Sequence, residues 1–214
     1  MKILVTGFDP FGGEAVNPAL EAIKKLDGLV VGGAVVTTWT IPTVRWKAIA
    51  ALKEAILAVD PDIIFAVGQA GGRAEMTPER IAINIDDYRI KDNEGNEPID
   101  ESIASDGPSA YWSTLPIKKM VTVLRQNGIP ASVSNTAGTF LCNHIFYGLM
   151  HQLHGEGDKR RGGFIHIPYL PEQAARNPGQ PSMSLEMIVR GLKIGIEVAL
   201  TTVEDTQVTG GTIC

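Results

Sequence analysis

Cysteine is scarce in this chain. Cys142 and Cys214 are the two cysteines among 214 residues, and Cys214 is the last of them. A secreted scaffold stapled by disulfides needs more cysteines at paired spacings, so a reducing, cytoplasmic setting is expected. Basic residues are outnumbered too: 19 Lys and Arg stand against 24 Asp and Glu, a formal net charge of -5. The short run Lys159-Arg160-Arg161 reads as a solvated loop, and nucleic acid is not an expected partner. No apolar stretch approaches the roughly 18 residues that span a bilayer, so no membrane partner is expected either. The opening residues are broken early by Gly7 and Pro10, which argues against a signal peptide. His151 and His154 have i, i+3 spacing, but no second cysteine or carboxylate pair completes a zinc set, and no metal is expected.

What is present is an ordinary globular balance, 44% hydrophobic and 20% charged, over a length that suits one α/β domain spanning residues 1–214. Apolar runs of strand length fall at residues 3–5, 33–38, 63–67, 131–133 and 164–167. Segments with helical periodicity fall between and after them, at residues 18–26, 44–59, 116–127, 141–153 and 184–202. Alternation of buried strands with helices predicts an open, twisted, mostly parallel (mixed) sheet with helices on both faces. Residues 80–90 alternate apolar and polar, as a half-exposed strand at an antiparallel edge does. Asp60-Pro61 and Asn127-Gly128 read as helix stops. Residues 92–106 read as a polar surface excursion, and residues 176–181 as a second one, placed to act as a lid.

In open α/β sheets the ligand site lies beyond the carboxyl ends of the strands. Four unusual loops emerge there: residues 7–13, 68–73, 134–140 and 166–169. Cys142 follows the third of them and opens a predicted helix. A thiol at a helix N-terminus feels the positive end of the dipole, so its pKa is expected to fall below the usual value of about 8.5. Free backbone N–H groups there also suit an oxyanion. A buried, inert core cysteine is the commoner fate of such a residue. His166 changes the balance, because a histidine at a strand's carboxyl end reaches the same crevice and can take a thiol proton. A third member would be a carboxylate that orients the imidazole. Glu79, at a loop-to-strand border, is preferred, with Asp86 and Asp87 as rivals that the residues alone do not eliminate. Arg89 nearby suits an oxyanion or a plain surface ion pair.

These residues sit in motifs that resemble the pyroglutamyl peptidase I (pyrrolidone-carboxylate peptidase) family, and the resemblance runs through nearly the whole chain. The motifs are Thr6-Gly7-Phe8-Asp9-Pro10-Phe11-Gly12-Gly13 with Asn17-Pro18, Val67-Gly68-Gln69-Ala70-Gly71-Gly72-Arg73, Glu79-Arg80-Ile81-Ala82-Ile83-Asn84, Ser134 to His144 around Cys142, and Phe164-Ile165-His166-Ile167-Pro168. The resemblance implies a cysteine exopeptidase that hydrolyses the amide bond after an N-terminal pyroglutamyl residue through a thioester. It implies Cys142 as nucleophile, His166 as proton shuttle, Glu79 as its orienting carboxylate and Arg89 at the oxyanion. It implies peptide substrates, no cofactor, and a homo-oligomer, often a tetramer. One departure is Lys91, where the family usually has proline before the pair Asp92-Asn93; it bears on loop stiffness near Arg89.

A lactam carries no free amine, so its pocket should be apolar with a few hydrogen-bonding groups. Phe8, Phe11 and Phe140 are the expected walls, and Gln69 and Asn17 the expected partners of the ring amide. The alternative is that the phenylalanines anchor their loop to the core. Two competing readings remain at this level. One is a nucleoside phosphorylase-like enzyme whose Gly-rich loops cradle phosphate. The other is a non-catalytic binder of pyroglutamyl N-termini.

Overall fold

The computed structural model of the chain describes residues 1–155 and 159–211. Cys214 lies outside them. In chain order the elements are β1 (Lys2–Phe8), α1 (Pro18–Lys24), β2 (Val30–Val31), β3 (Ala34–Ile41), α2 (Lys47–Val59), β4 (Ile63–Gln69), β5 (Thr77–Pro78), β6 (Ile81–Ile83), β7 (Ala110–Trp112), α3 (Ile117–Gln126), α4 (Leu141–Gly155), β8 (Arg161–Ile167), α5 (Pro171–Arg176) and α6 (Leu185–Thr201).

The main sheet runs β2-β3-β1-β4-β8-β5. Its four central strands, β3, β1, β4 and β8, are mutually parallel. The edges β2 and β5 are antiparallel to their neighbours, which makes the sheet mixed as expected. Strand periodicity of two splits the core into two layers. Ile3, Val5, Ile63, Phe65 and Val67 face α1, α3 and α6, whereas Leu4, Ile64, Ala66 and Phe164 face α2 and α4. Burial on both faces explains why these strands read as continuous apolar runs.

The predicted helix stops occur. Asp60 closes α2 in the left-handed conformation at φ 50, and Gly128 follows α3 at φ 73. Residues 80–90 differ from expectation. Only Ile81–Ile83 is strand, and it pairs with β7 in a separate two-stranded sheet. Beyond it the chain turns in, burying Asp86 completely. Residues 131–134 are extended beside β5 and make isolated parallel bridges rather than a full strand. Pro78 and Pro130 in this pairing lack the N–H that a regular ladder needs. Arg161 does not belong to a solvated loop. It opens β8, and its guanidinium donates to the Ala199 and Thr202 carbonyls at the end of α6. The short α5 was not anticipated, and the segment after it, which includes Asn177, Pro178 and Gln180, borders the cleft described below.

Candidate active site

The carboxyl ends of β1, β4 and β8 open into a cleft of about 910 Å³. Cys142 and His166 line it, together with Phe11, Gln69, Arg73, Arg89 and Phe140. Three of the four loops singled out in the sequence thus converge there with the fourth, residues 134–140, which leads into α4.

Cys142 is the second residue of α4. Its approach to the sheet depends on a missing side chain. A Cβ on Gly68 would stand 2.9 Å from the Cys142 Sγ and 2.6 Å from the Phe164 ring, closer than real Cβ contacts. Gly68 is also the register partner of His166 on β8, so the thiol and the imidazole meet over the same strand end. The helix itself is fixed by its next residue. Asn143 is fully buried, donates to the Ile83 and Ile85 carbonyls, and accepts from the Ile83 N–H. These bonds tie the start of α4 to the segment that runs on to Arg89.

His166 is 4% exposed and its Nδ1 lies 2.7 Å from Glu79 Oε1. Glu79 is fully buried. Its backbone is held from both sides: its N–H donates to the Phe164 carbonyl, and it bridges Ser134. A carboxylate at Nδ1 selects the tautomer whose Nδ1 carries the hydrogen and leaves Nε2 as the acceptor. Burial is the largest influence on His166 and lowers its pKa below the ordinary 6.5. Glu79 pulls the other way, and Arg73 adds to the lowering. The imidazole is therefore neutral at pH 7.

The thiol departs from expectation. Its pKa is not depressed but pushed up to about 12, first by burial and then by the Glu79 charge, with Arg73 opposing. Desolvation of a thiolate outweighs the helix end, because burial penalises the charged form directly. Cys142 as a residue is only partly buried, but its sulfur faces the strand end. The resting pair is a neutral thiol beside a neutral imidazole.

The rival carboxylate Asp86 has another task. Its carboxylate accepts from the His144 Nδ1 at 2.9 Å and from the Arg45 Nε at 2.8 Å, away from the cleft. Asp87 is exposed; its backbone N–H donates to the Thr139 carbonyl. Arg89 is exposed at the cleft, and among the described residues it has no ion-pair partner, which leaves it available to an anion.

The expected pocket residues divide. Phe11 and Phe140 stand together on the cleft wall with ring centroids 5.9 Å apart, and Tyr88 supports Phe140 edge-on at 4.7 Å. Gln69 also lines the cleft, and its Oε1 accepts from the buried Gln173 Nε2 at 2.9 Å. Phe8 does not line it. β1 runs through Phe8, and strand alternation turns that ring into the core layer beneath α2 and α4. Asn17 does not line it either. It is 1% exposed and caps α1: its Oδ1 accepts from the Ala19 N–H and its Nδ2 donates to the Asp9 carbonyl. Both ends of its amide are spent on the fold, in a position worth about 1 kcal/mol. Its effect on the cleft is to pin the chain that leads to Phe11. Sequence reasoning missed Asn143 and Tyr88 as supports of the site, and gave Arg73 no role.

The full-length pattern of a protein family agrees with this arrangement. Residues 1–202 match the family described as pyroglutamyl peptidase. The chain is 58% identical to the pyrrolidone-carboxylate peptidase of Bacillus licheniformis over 99% of its own length and 98% of that protein's. It superposes on the crystal structure of pyroglutamyl peptidase I from Bacillus amyloliquefaciens with a TM-score of 0.95 at 52% identity, covering 97% of this chain and 99% of that one. A mutant pyrrolidone carboxyl peptidase from Pyrococcus furiosus superposes with a TM-score of 0.92 at 46% identity, covering 95% and 100%. These relatives do not support the phosphorylase reading. A buried histidine–carboxylate pair at the strand ends, a partly buried thiol against Gly68, and similarity over nearly the whole length lead to one conclusion: this chain belongs to the pyroglutamyl peptidase family.

Proposed function

We propose that the cleft removes N-terminal pyroglutamate from peptides, with Cys142 as the nucleophile, His166 as the proton shuttle and Glu79 as the residue that orients it. The observation that carries this reading is the 2.7 Å contact of His166 Nδ1 with the buried Glu79, beside a thiol lodged against Gly68. His166 Nε2 takes the thiol proton as Cys142 Sγ attacks the pyroglutamyl carbonyl. Arg89 and the backbone N–H groups at the start of α4 stabilise the oxyanion. The C–N bond breaks, His166 returns the proton to the leaving amine, and a pyroglutamyl thioester remains. Water, deprotonated by the same imidazole, then releases pyroglutamate and restores the thiol.

A resting neutral pair favours proton transfer during attack over a preformed thiolate. Phe11 and Phe140 supply the apolar walls for the ring. Gln69, whose Oε1 is already engaged, offers its N–H groups to the lactam carbonyl. The cleft lining contains one acidic side chain, Glu14, already paired with Arg176 at 3.1 Å. A free ammonium would therefore lose hydration without gaining a partner, which disfavours ordinary aminopeptidase substrates. Activity through a thiol also suits a reducing cytoplasm. No helix among the described residues is long and apolar enough to cross a membrane. A homo-oligomer, a tetramer by family resemblance, is supported by the exposed Trp46, at the N-cap of α2, and Leu57, which border one groove.

The test is release of a reporter amine from a pyroglutamyl amide by the wild type and by Cys142→Ser. Turnover is expected to fall by about a thousandfold or more. Undiminished hydrolysis by the serine variant rejects the assignment, and so does binding of the amide without turnover by the wild type, which would favour the non-catalytic binder.

A further inference from the structure

The carboxylate that orients His166 is itself held by a residue with no role in the reaction scheme. Arg73 Nη1 stands 2.7 Å from Glu79 Oε1, the same oxygen that accepts from His166 Nδ1. Arg73 Nη1 also donates to Thr77 Oγ1 at 2.5 Å, and its Nη2 donates to the Thr136 carbonyl at 3.1 Å. One planar guanidinium thus reaches three pieces of the site: the Glu79 carboxylate, the strand β5 that leads into Glu79, and the loop that leads into Cys142. Among the described residues Glu79 Oε2 has no hydrogen-bond partner, so Oε1 alone carries the carboxylate's polar contacts.

Physical chemistry says what this arrangement does. A buried charge is costly unless it is paired and hydrogen-bonded. The Glu79 charge selects the His166 tautomer and supports the imidazolium formed during attack. Arg73 is the fixed cation paired with it, and an arginine serves because it does not deprotonate. Arg73 also lies 3.5 Å from His166 Nδ1, where its charge disfavours a resting imidazolium. Among the described residues, Arg73 and Cys142 interact electrostatically with the pair, and Arg89 and Tyr169 line the same cleft.

We propose that Arg73 is a positioning residue that keeps the Glu79–His166 pair in its carboxylate–neutral imidazole state. This rests on the roles given above to Glu79, His166 and Cys142. It assigns a function to the arginine that ends the Gly68–Arg73 loop, which the reaction does not otherwise use.

The test is the pH dependence of kcat/KM on a pyroglutamyl amide for Arg73→Met, Arg73→Gln and Arg73→Lys, with thermal melting to verify folding. Removing a positive charge raises the proton affinity of the coupled pair, whichever member takes the proton. The acid limb is expected to move to higher pH by about one pH unit in the Met and Gln variants. Plateau kcat is expected to fall by about tenfold or more, with KM little changed, since the contribution is to orientation rather than to ring binding. Arg73→Lys keeps the charge and is expected to keep the wild-type acid limb. A merely structural role would lower activity evenly at every pH. An unmoved acid limb in both neutral variants overturns the proposal, and so does loss of the folded state in both. Cys142→Ser runs alongside: retained turnover there overturns the underlying mechanism, while a dead serine variant with an unmoved Arg73 limb overturns only the role of Arg73.

Discussion

Two histidine–carboxylate–arginine assemblies flank the start of α4. At the cleft, His166 meets Glu79, and Glu79 meets Arg73, at 2.7 Å each. Behind it, His144 meets Asp86 at 2.9 Å, and Asp86 meets Arg45 at 2.8 Å. Both carboxylates are fully buried. What differs is the surroundings of the histidine. His166 lines the cleft together with the Cys142 thiol. His144 is completely buried, with the Trp46 ring packed edge-on at 5.3 Å and no hydrogen-bond partner for its Nε2 among the described residues. A histidine–carboxylate–arginine set becomes chemical machinery only when the far imidazole nitrogen can reach a substrate or a nucleophile. Sealed, the same set is a structural tie, here between α4 and the segment that carries Arg89.

The sharpest way to break that comparison is to neutralise each carboxylate in turn. Glu79→Gln keeps the shape but favours the wrong imidazole tautomer, and kcat is expected to fall by about a hundredfold to ten-thousandfold with the melting temperature little lowered. Gly68→Ala comes next. It removes no group of either assembly but puts a methyl group 2.9 Å from the Cys142 sulfur and 2.6 Å from the Phe164 ring. A displacement of this size is expected to cost about a hundredfold in kcat, read in the same assay. The pH profile separates the two histidines more gently. The His166 pKa lies below 6.5 chiefly through burial, and in the proposed mechanism protonation removes the acceptor for the thiol proton. Full kcat/KM is therefore expected to persist as pH falls through 6.5 and to decline only at the lower, depressed value. An acid limb above 6.5 would contradict a buried neutral imidazole. The smallest effect on turnover belongs to Asp86→Asn. It removes the buried charge that faces Arg45 and His144, although Arg45 keeps Glu101 at 2.8 Å, and is expected to cost about 3 kcal/mol of stability. Turnover per folded molecule should stay close to wild type, measured as denaturation midpoint and as kcat on the folded fraction. A collapse of kcat at undiminished stability would erase the distinction between the two assemblies.

Much of this architecture was legible beforehand because its signals are local. Strands buried on both faces leave continuous apolar runs, and Asp60-Pro61 and Asn127-Gly128 stop helices where they stand. The cleft loops announced themselves by their glycines and polar residues. What escaped depends on contacts distant in sequence. Nothing near Asp86 says that its partner is His144, 58 positions away. Phe8 and Phe11 look alike at i, i+3, but β1 continues through Phe8 and buries it, so only Phe11 reaches the cleft. Asn17 carries the chemistry to bind a lactam and spends it on capping α1. The thiol pKa was misjudged because a helix terminus is visible in a sequence, whereas the desolvation that opposes it is not.

The central claim is that Cys142 is acylated by the pyroglutamyl group during turnover. Rapid acid quench of the wild-type enzyme with a pyroglutamyl ester, followed by peptide mapping and mass spectrometry, tests it directly. The account predicts a pyroglutamyl adduct on the peptide containing Cys142, labile to hydroxylamine as a thioester is, and absent from Cys142→Ser. An adduct on another residue, or continued turnover in the serine variant with no adduct, would contradict it.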